Sequence, residues 1–203
     1  MFHRVLTLFA TVWLLATGTV RAQAILEPPY GLKWGDSPEK LISWASRHSL
    51  DVTISVPGDQ PALRVVKIQA RKGFLPGTSD AAVEGRFFGG RMFELTVHYI
   101  DPEASADLME TRFQQLKQKL SSELGTLVAD QQQRSTADQF TTRTQAYHRE
   151  PVKGLFLMLA FTEIEDLLRK TKDARYSVIY RNDNLRQELE KLMRAPAAPQ
   201  DGR

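Results

Sequence analysis

Cysteine is absent from the 203 residues of the chain. Disulfides, thiolate metal sites and cysteine nucleophiles are therefore excluded, as is a lipid carried by a cysteine next to an export signal. The fold has to be held by a hydrophobic core alone. The 179 residues after residue 24 suffice, since domains near 150 residues bury roughly 70% of the surface of the unfolded chain.

Long hydrophobic runs are also scarce, and the one that exists is at the start. Val5 to Val20 reads "VLTLFATVWLLATGTV" and is followed by Ala22-Gln23-Ala24, the small-x-small pattern of a signal-peptidase site. The run is shorter than the roughly 20 residues of a spanning helix. Residues 1–24 are predicted to be a signal peptide, with an uncleaved anchor as the alternative. A periplasmic or secreted protein without a stable membrane span is expected.

The sequence also lacks a large excess of positive or negative charge. The chain has 27 Lys and Arg against 24 Asp and Glu, and Arg4 and Arg21 belong to the predicted signal, which leaves a net charge of +1. Such a balance gives no argument for a nucleic-acid partner or an anionic membrane.

Apolar periodicity divides the rest into two units, 25–101 and 102–194, with a disordered tail at 195–203. Each unit is predicted to hold an amphipathic helix followed by strands, and the second also a C-terminal helix. The predicted helices are Pro38–His48, Glu103–Leu124 and Asn184–Arg194, the last with Asp183 as its cap. The predicted strands are 51–56, 63–72, a hairpin at 83–99, a short strand at 126–129, 140–148 with a wet face or at an edge, 155–162 and 175–181. The fold class is α+β: an antiparallel β-sheet with helices on one face, in two tandem helix-then-strands units.

Three segments of the second unit carry less pattern. Residues 130–138, "DQQQRSTAD", are predicted to be a polar loop. Residues 155–162, "LFLMLAFT", are apolar on both faces, which predicts a central strand covered on both sides, with a buried helix as the rival. Residues 163–173 are predicted to contain a helical turn.

The hairpin at 83–99 has a testable register. A two-residue Gly89-Gly90 turn would set Arg86 opposite Phe93, which places a charge against the core. A three-residue loop, Gly89 to Arg91, instead sets Arg86 opposite Glu94, Val83 opposite Val97 and Phe87 opposite Phe93. A loop of Phe88 to Gly90 is the alternative. In both cases Glu94, Thr96 and His98 lie on the polar face.

Two stretches resemble a known group of folds. "GLKWGDSPEKLISWA" at 31–45 and "FFGGRMFELTVHY" at 87–99, followed by the second helix and Gly125, resemble repeats of the β-lactamase-inhibitor-protein-like group. That group includes the small lipoprotein of the outer-membrane β-barrel assembly machinery, and the same pattern occurs in secreted bacterial proteins of unknown function. The resemblance implies helix-plus-sheet repeats and a non-enzymatic, protein-contacting role in the cell envelope. The lipid-bearing cysteine of the lipoprotein has no counterpart here.

Catalytic and metal-binding patterns are weak. His98, His148 and a carboxylate could bind zinc if their strands were neighbours, but no His-x-x-x-His pair supports this. Gly-x-Ser-x-Gly is absent from the sequence. The carboxylates at 163, 165 and 166 are interpreted as a solvated face. No catalytic residue, metal ligand or cofactor is predicted. Trp34 and Trp44 are interpreted as packing residues rather than a sugar-stacking platform.

The functional hypothesis is a non-catalytic binding module. Its predicted contact surface is the uncovered sheet face with Arg86, Glu94, Thr96 and His98, its predicted partner another envelope or secreted protein, and the chain itself a monomer or weakly associating. The alternatives are a small periplasmic hydrolase acting on envelope material and a structural subunit of an envelope assembly.

Overall fold

The computed structural model describes residues 26–58, 60–70 and 80–194. The predicted signal peptide and C-terminal tail lie outside these residues. The elements are α1 Pro38–Arg47, β1 Asp51–Ser55, β2 Leu63–Ala70, β3 Asp80–Phe88, β4 Arg91–Ile100, α2 Ala106–Leu124, β5 Val128–Ala137, β6 Phe140–Val152, β7 Leu155–Asp166, β8 Thr171–Asn182 and α3 Asp183–Arg194. None of the helices in the described residues is long and apolar enough to cross a bilayer.

The strands form one eight-stranded antiparallel sheet in the order β1-β2-β3-β4-β8-β7-β6-β5. Two four-stranded meanders thus join through their last strands, where Val97 pairs with Val178 and Leu95 with Tyr180. The predicted α+β class is confirmed, and the order of a helix then four strands occurs twice. Both α1 and α2 pack on the same face of the sheet, as the sequence predicted.

The core has two main parts, one beneath each of these helices. Leu41 and Trp44 of α1 are buried against Val66 and Ile68 of β2 and against β3 and β4. Under α2 the buried cluster is built around Phe113, Phe161 and Tyr176 and reaches Tyr147 on β6. Burial of Trp44, which stacks on Tyr30 at 4.6 Å, fits its predicted packing role.

The segment before α1 is held to the start of β4 by two backbone hydrogen bonds. The Gly35 N–H donates to the Met92 carbonyl at 2.9 Å, and the Met92 N–H donates to the Asp36 carbonyl at 2.9 Å. Gly35 has φ +83°, which a residue with a Cβ adopts only with strain. Trp34 donates its indole N–H to the Leu26 carbonyl at 2.7 Å and packs between the α2 cluster and α3. The segment therefore joins the start of α1 to the start of β4.

The β3–β4 hairpin combines a two-residue turn with the pairing of Arg86 and Glu94, although the sequence pattern indicated that the two are incompatible. Gly89 and Gly90 form a two-residue turn with φ of +56° and +77°, so the predicted three-residue loop is wrong. Arg86 is nevertheless opposite Glu94 and Val83 opposite Val97, as predicted. A β-bulge absorbs the extra residue: Phe87 pairs with Met92, not with Phe93 as predicted.

Several predictions for the second half of the chain differ from the structure. Residues 130–138 are mostly strand, since β5 extends to Ala137 with every residue exposed, and β5 rather than β6 is the edge. The segment 163–173 is not helical but forms the β7–β8 hairpin. Strand β7 is buried on one face only, because alternate residues from Phe156 onward are half-exposed.

Two helix starts also differ. Helix α2 begins at Ala106, three residues later than predicted, because the Ser105 hydroxyl caps it by accepting from the Leu108 N–H at 3.2 Å. For α3 the cap is the Asn182 amide oxygen, which accepts from the Leu185 N–H at 2.9 Å, rather than Asp183. Leu185 and Leu189 of α3 pack on Phe93 and on Leu63 and Phe88 at the strand ends.

Candidate functional site

The face opposite α1 and α2 is where the predicted site residues lie. Along β4 the buried Leu95 and Val97 alternate with Glu94, Thr96 and His98, and successive strand residues point to opposite faces. Cross-strand pairing then extends this surface over β8, β7 and β6. We define the open face as these residues: Arg86, Glu94, Thr96, His98, Ala146, His148, Phe156, Met158, Ala160, Ser177, Ile179 and Arg181.

One border of the open face is a charged group on β3 and β4. Arg86 Nε lies 3.4 Å from Glu94 Oε1 and 3.2 Å from Glu84 Oε1, and Lys67 Nζ lies 3.4 Å from Glu84 Oε2. Both carboxylates are largely covered, with 12% and 13% of the side chain exposed for Glu94 and Glu84. Burial raises the pKa of Glu94, although Arg86 and Arg181 oppose this shift. The cations of Lys67 and Arg86, with 59% and 45% of the side chain exposed, are the accessible members of the group.

Next to this group, Thr96 and His98 differ in accessibility. Thr96 is only 6% exposed, so it forms part of the floor rather than a contact. His98 is half-buried, and its Nδ1 lies 2.8 Å from the Ser177 hydroxyl oxygen on β8. Burial lowers the pKa of His98, so the imidazole stays neutral near pH 7. A cleft of about 380 Å³ opens beside the pair and is lined also by Ile100 and Arg175.

The centre of the open face is apolar. Phe156, Met158 and Ala160 of β7 and Ile179 of β8 are half-exposed. A second cleft, of about 220 Å³, lies over this strip and is bordered by Asp130, His148 and Arg181.

Polar groups border that strip at both ends. The Arg181 guanidinium lies 5.4 Å from the Phe156 ring centroid and pairs with Asp183 at 2.7 Å. At the other end, His148 Nδ1 lies 3.8 Å from Asp130 Oδ1. An apolar strip with charged borders resembles the arrangement of a protein contact surface.

The two histidines considered for zinc are not brought together. Strands β8 and β7 lie between β4 and β6, so His98 and His148 are separated by three strand spacings, roughly 14 Å. Within 26–58, 60–70 and 80–194, no three His, Asp or Glu side chains gather as potential ligands of a metal ion.

Several open-face residues were not found from the sequence. Arg181 and Ser177 reach the site because β8 pairs with β4, a contact between residues about 80 positions apart that no local pattern signals. The alternation in 155–162 did contain a signal for Phe156 and Met158, but apolar residues on both faces predicted a covered strand instead.

Comparisons with protein-family models, with curated proteins and with solved structures find no match.

Proposed function

We propose that this protein is an exported, non-catalytic binding module, and that the open face is the surface with which it contacts another envelope or secreted protein. The observation that supports this most directly is the half-exposed apolar strip of Phe156, Met158 and Ile179, bordered by charged groups. Contact surfaces with an apolar centre and a polar rim are typical of protein partners.

Export to the envelope rests on the N-terminal sequence. The apolar run at 5–20 and the Ala22-Gln23-Ala24 site support cleavage after Ala24. The test is intact-mass measurement of the protein recovered from periplasm or culture medium, which is expected to begin at Ile25. Recovery of the uncleaved chain in the membrane fraction would contradict this part of the proposal.

The contact surface is tested with paired variants. Charge exchange at the border, Arg86→Glu with Glu94→Arg, and a charge in the apolar centre, Met158→Lys, are each expected to remove a partner captured from envelope extract by the wild-type chain. Circular dichroism and the thermal midpoint check that each variant is folded.

A matched control is available on the helix-bearing face. The exposed Arg134 of β5 and the half-buried Glu165 of β7 form an ion pair across β6 at 4.0 Å, and their exchange, Arg134→Glu with Glu165→Arg, should leave capture unchanged. If all variants capture the partner as the wild-type chain does, the open face is not the contact surface. If the control variant loses the partner as well, exchanging a charged pair anywhere on the sheet is enough to prevent capture, and the loss is not specific to the open face.

A second candidate, a small hydrolase, is favoured by one contact. The Ser177 hydroxyl lies 2.8 Å from the His98 imidazole beside an open cleft, and a neutral imidazole can accept the proton of an attacking hydroxyl. A fluorophosphonate probe tests this: it would label Ser177 in the wild-type chain and not in His98→Gln. Absence of labelling in the wild-type chain favours the binding module.

A further inference from the structure

A separate feature lies at one end of the sheet, away from the centre of the open face. Two neighbouring hairpins, β5–β6 and β7–β8, end there in tight turns, and their tips are joined because the Leu167 N–H donates to the Gln139 carbonyl at 2.8 Å. Phe140, Leu167 and Leu168 are exposed at 43%, 46% and 75%. We define these three residues together with Arg169 and Lys170 as the tip cluster.

The β7–β8 turn is held by hydrogen bonds, which keep Leu167 and Leu168 exposed in the folded chain. Asp166 Oδ1 accepts hydrogen bonds from the backbone N–H groups of Leu168 and Arg169, both at 3.0 Å. Lys170 closes the turn with φ +54°. These bonds use backbone groups, and polar residues such as Asn, Ser and Gly are the usual occupants of such turns. The fold therefore does not require leucine at 167 and 168.

The charges of the tip are arranged with cations outermost. Arg169 has 83% of its side chain exposed and Lys170 is exposed as well, whereas the carboxylate of Asp166 is turned inward to the backbone of the turn and is buried. The neighbouring tip contributes one acid, Asp138. The two cations and two acids of the tips balance, and Arg169 Nε lies 3.8 Å from Asp166 Oδ2. The Asp166 carboxylate is buried, however, so the charges that face solvent are two cations and one acid.

We propose that the tip cluster is a membrane-contact site that takes an anionic lipid bilayer as its partner. Leu167, Leu168 and Phe140 would enter the interfacial region, and Arg169 and Lys170 would meet the lipid phosphates. Exposed apolar side chains next to cations are the combination that holds a peripheral protein on an anionic bilayer. This inference goes beyond the proposed protein-binding role, because it concerns a different surface and a different class of partner.

The absence of cysteine allows a readout confined to the tip. The full chain with Leu168→Cys is labelled with an environment-sensitive dye and titrated with vesicles of phosphatidylcholine alone or of equimolar phosphatidylcholine and phosphatidylglycerol. A blue shift is expected only with the anionic vesicles. The matched control is Ile54→Cys on β1, a site of similar exposure at 54%, where no shift is expected. Because the control shares the apolar N-terminal run, that run cannot explain a difference between the two sites.

Two further variants separate the contributions. Arg169→Gln with Lys170→Asn, which keeps a residue tolerant of positive φ at 170, should weaken binding about 25-fold, since each cation near an anionic surface contributes about fivefold. Leu167→Ser should weaken it about tenfold. A dye at 168 that stays in a water-like environment, that shifts equally at 54, or that shifts equally with neutral vesicles would overturn the proposal.

Discussion

At the residue scale, His98 gives the open face a measurable pH dependence. Burial lowers its pKa below the ordinary 6.5, with Glu84 partly opposing the shift. The unfolded chain then binds the proton more readily, so the contribution of His98 to the free energy of unfolding decreases as the pH falls through about 6.5. We expect wild-type protein to lose more stability between about pH 7.5 and about pH 5.5 than His98→Gln does in urea unfolding. Identical losses would show that the imidazole is not desolvated.

A second residue, Arg143 on β6, ties α2 to the sheet. It donates to Glu110 of α2 at 2.9 and 2.6 Å and to Glu163 of β7 at 3.0 Å. These contacts raise its pKa and lower that of Glu110. Arg143→Met removes the 3.0 Å partner of Glu163, whose side chain is 11% exposed, and leaves the longer contact with Lys172 at 4.0 Å. We expect a loss of about 2–4 kcal/mol in the free energy of unfolding, measured in urea.

The control for Arg143 is Arg134 on β5, whose side chain is 70% exposed and whose pair with Glu165 is at 4.0 Å. Arg134→Met should cost less than about 1 kcal/mol, as is usual for exposed pairs. Equal losses for the two substitutions would mean that the triple contact of Arg143 does not stabilise the fold.

Residue patterns predicted one half of the open face and missed the other. Alternation along 93–99 placed Glu94, Thr96 and His98 on one face, because a strand turns successive side chains to opposite sides whatever it pairs with. Their partners Ser177 and Arg181 depend on which strand pairs with β4, and that choice is made by long-range packing.

At the element scale, the turn between β3 and β4 shows why register and turn type cannot be read separately. The polar and apolar pattern predicted the pairing of Arg86 with Glu94, and the Gly-Gly pair favoured a two-residue turn. Both hold because the bulge at Met92 and Phe93 adds one residue to β4. Strand β5 could not be predicted from its side-chain pattern. All of its residues are exposed, so its sequence has no alternation of apolar and polar residues, and the strand is defined by its pairing with β6.

Packing of α1 onto β3 depends on the absence of a side chain at Gly85. A Cβ there would lie 2.6 Å from Leu41 Cδ2 and 2.9 Å from Phe87 Cε2. We expect Gly85→Ala to cost about 1–3 kcal/mol by overpacking and Leu41→Ala to cost about 2–5 kcal/mol by leaving a cavity. In the double variant the new methyl occupies part of that cavity, so the combined cost in urea unfolding should fall below the sum by about 1–2 kcal/mol. Strict additivity would contradict the contact.

At the scale of the whole molecule, the two helix-then-strands halves share one sheet rather than sitting side by side. The seam between β4 and β8 is apolar on the helix-bearing face, where Val97 pairs with Val178 and Tyr99 stacks on Tyr176 with ring centroids 4.7 Å apart. The element order could be predicted from apolar periodicity. The pairing of β4 with β8 could not be predicted, because each half alone would have its last strand at the edge of its sheet, and an edge strand can be protected in other ways than by pairing.

This seam predicts that both halves unfold together. With Trp34→Phe in the chain from Ile25 onward, Trp44 on α1 is the remaining tryptophan and its fluorescence follows the first half. Arg143→Met acts in the second half, on the far side of the seam. If the sheet is one cooperative unit, this substitution should lower the Trp44 transition by the same amount as the transition followed by circular dichroism, roughly 3 °C for each kcal/mol lost in a chain of this size. A Trp44 transition that stays at its wild-type temperature while the circular dichroism signal moves would mean that the halves unfold independently and that the seam does not couple them.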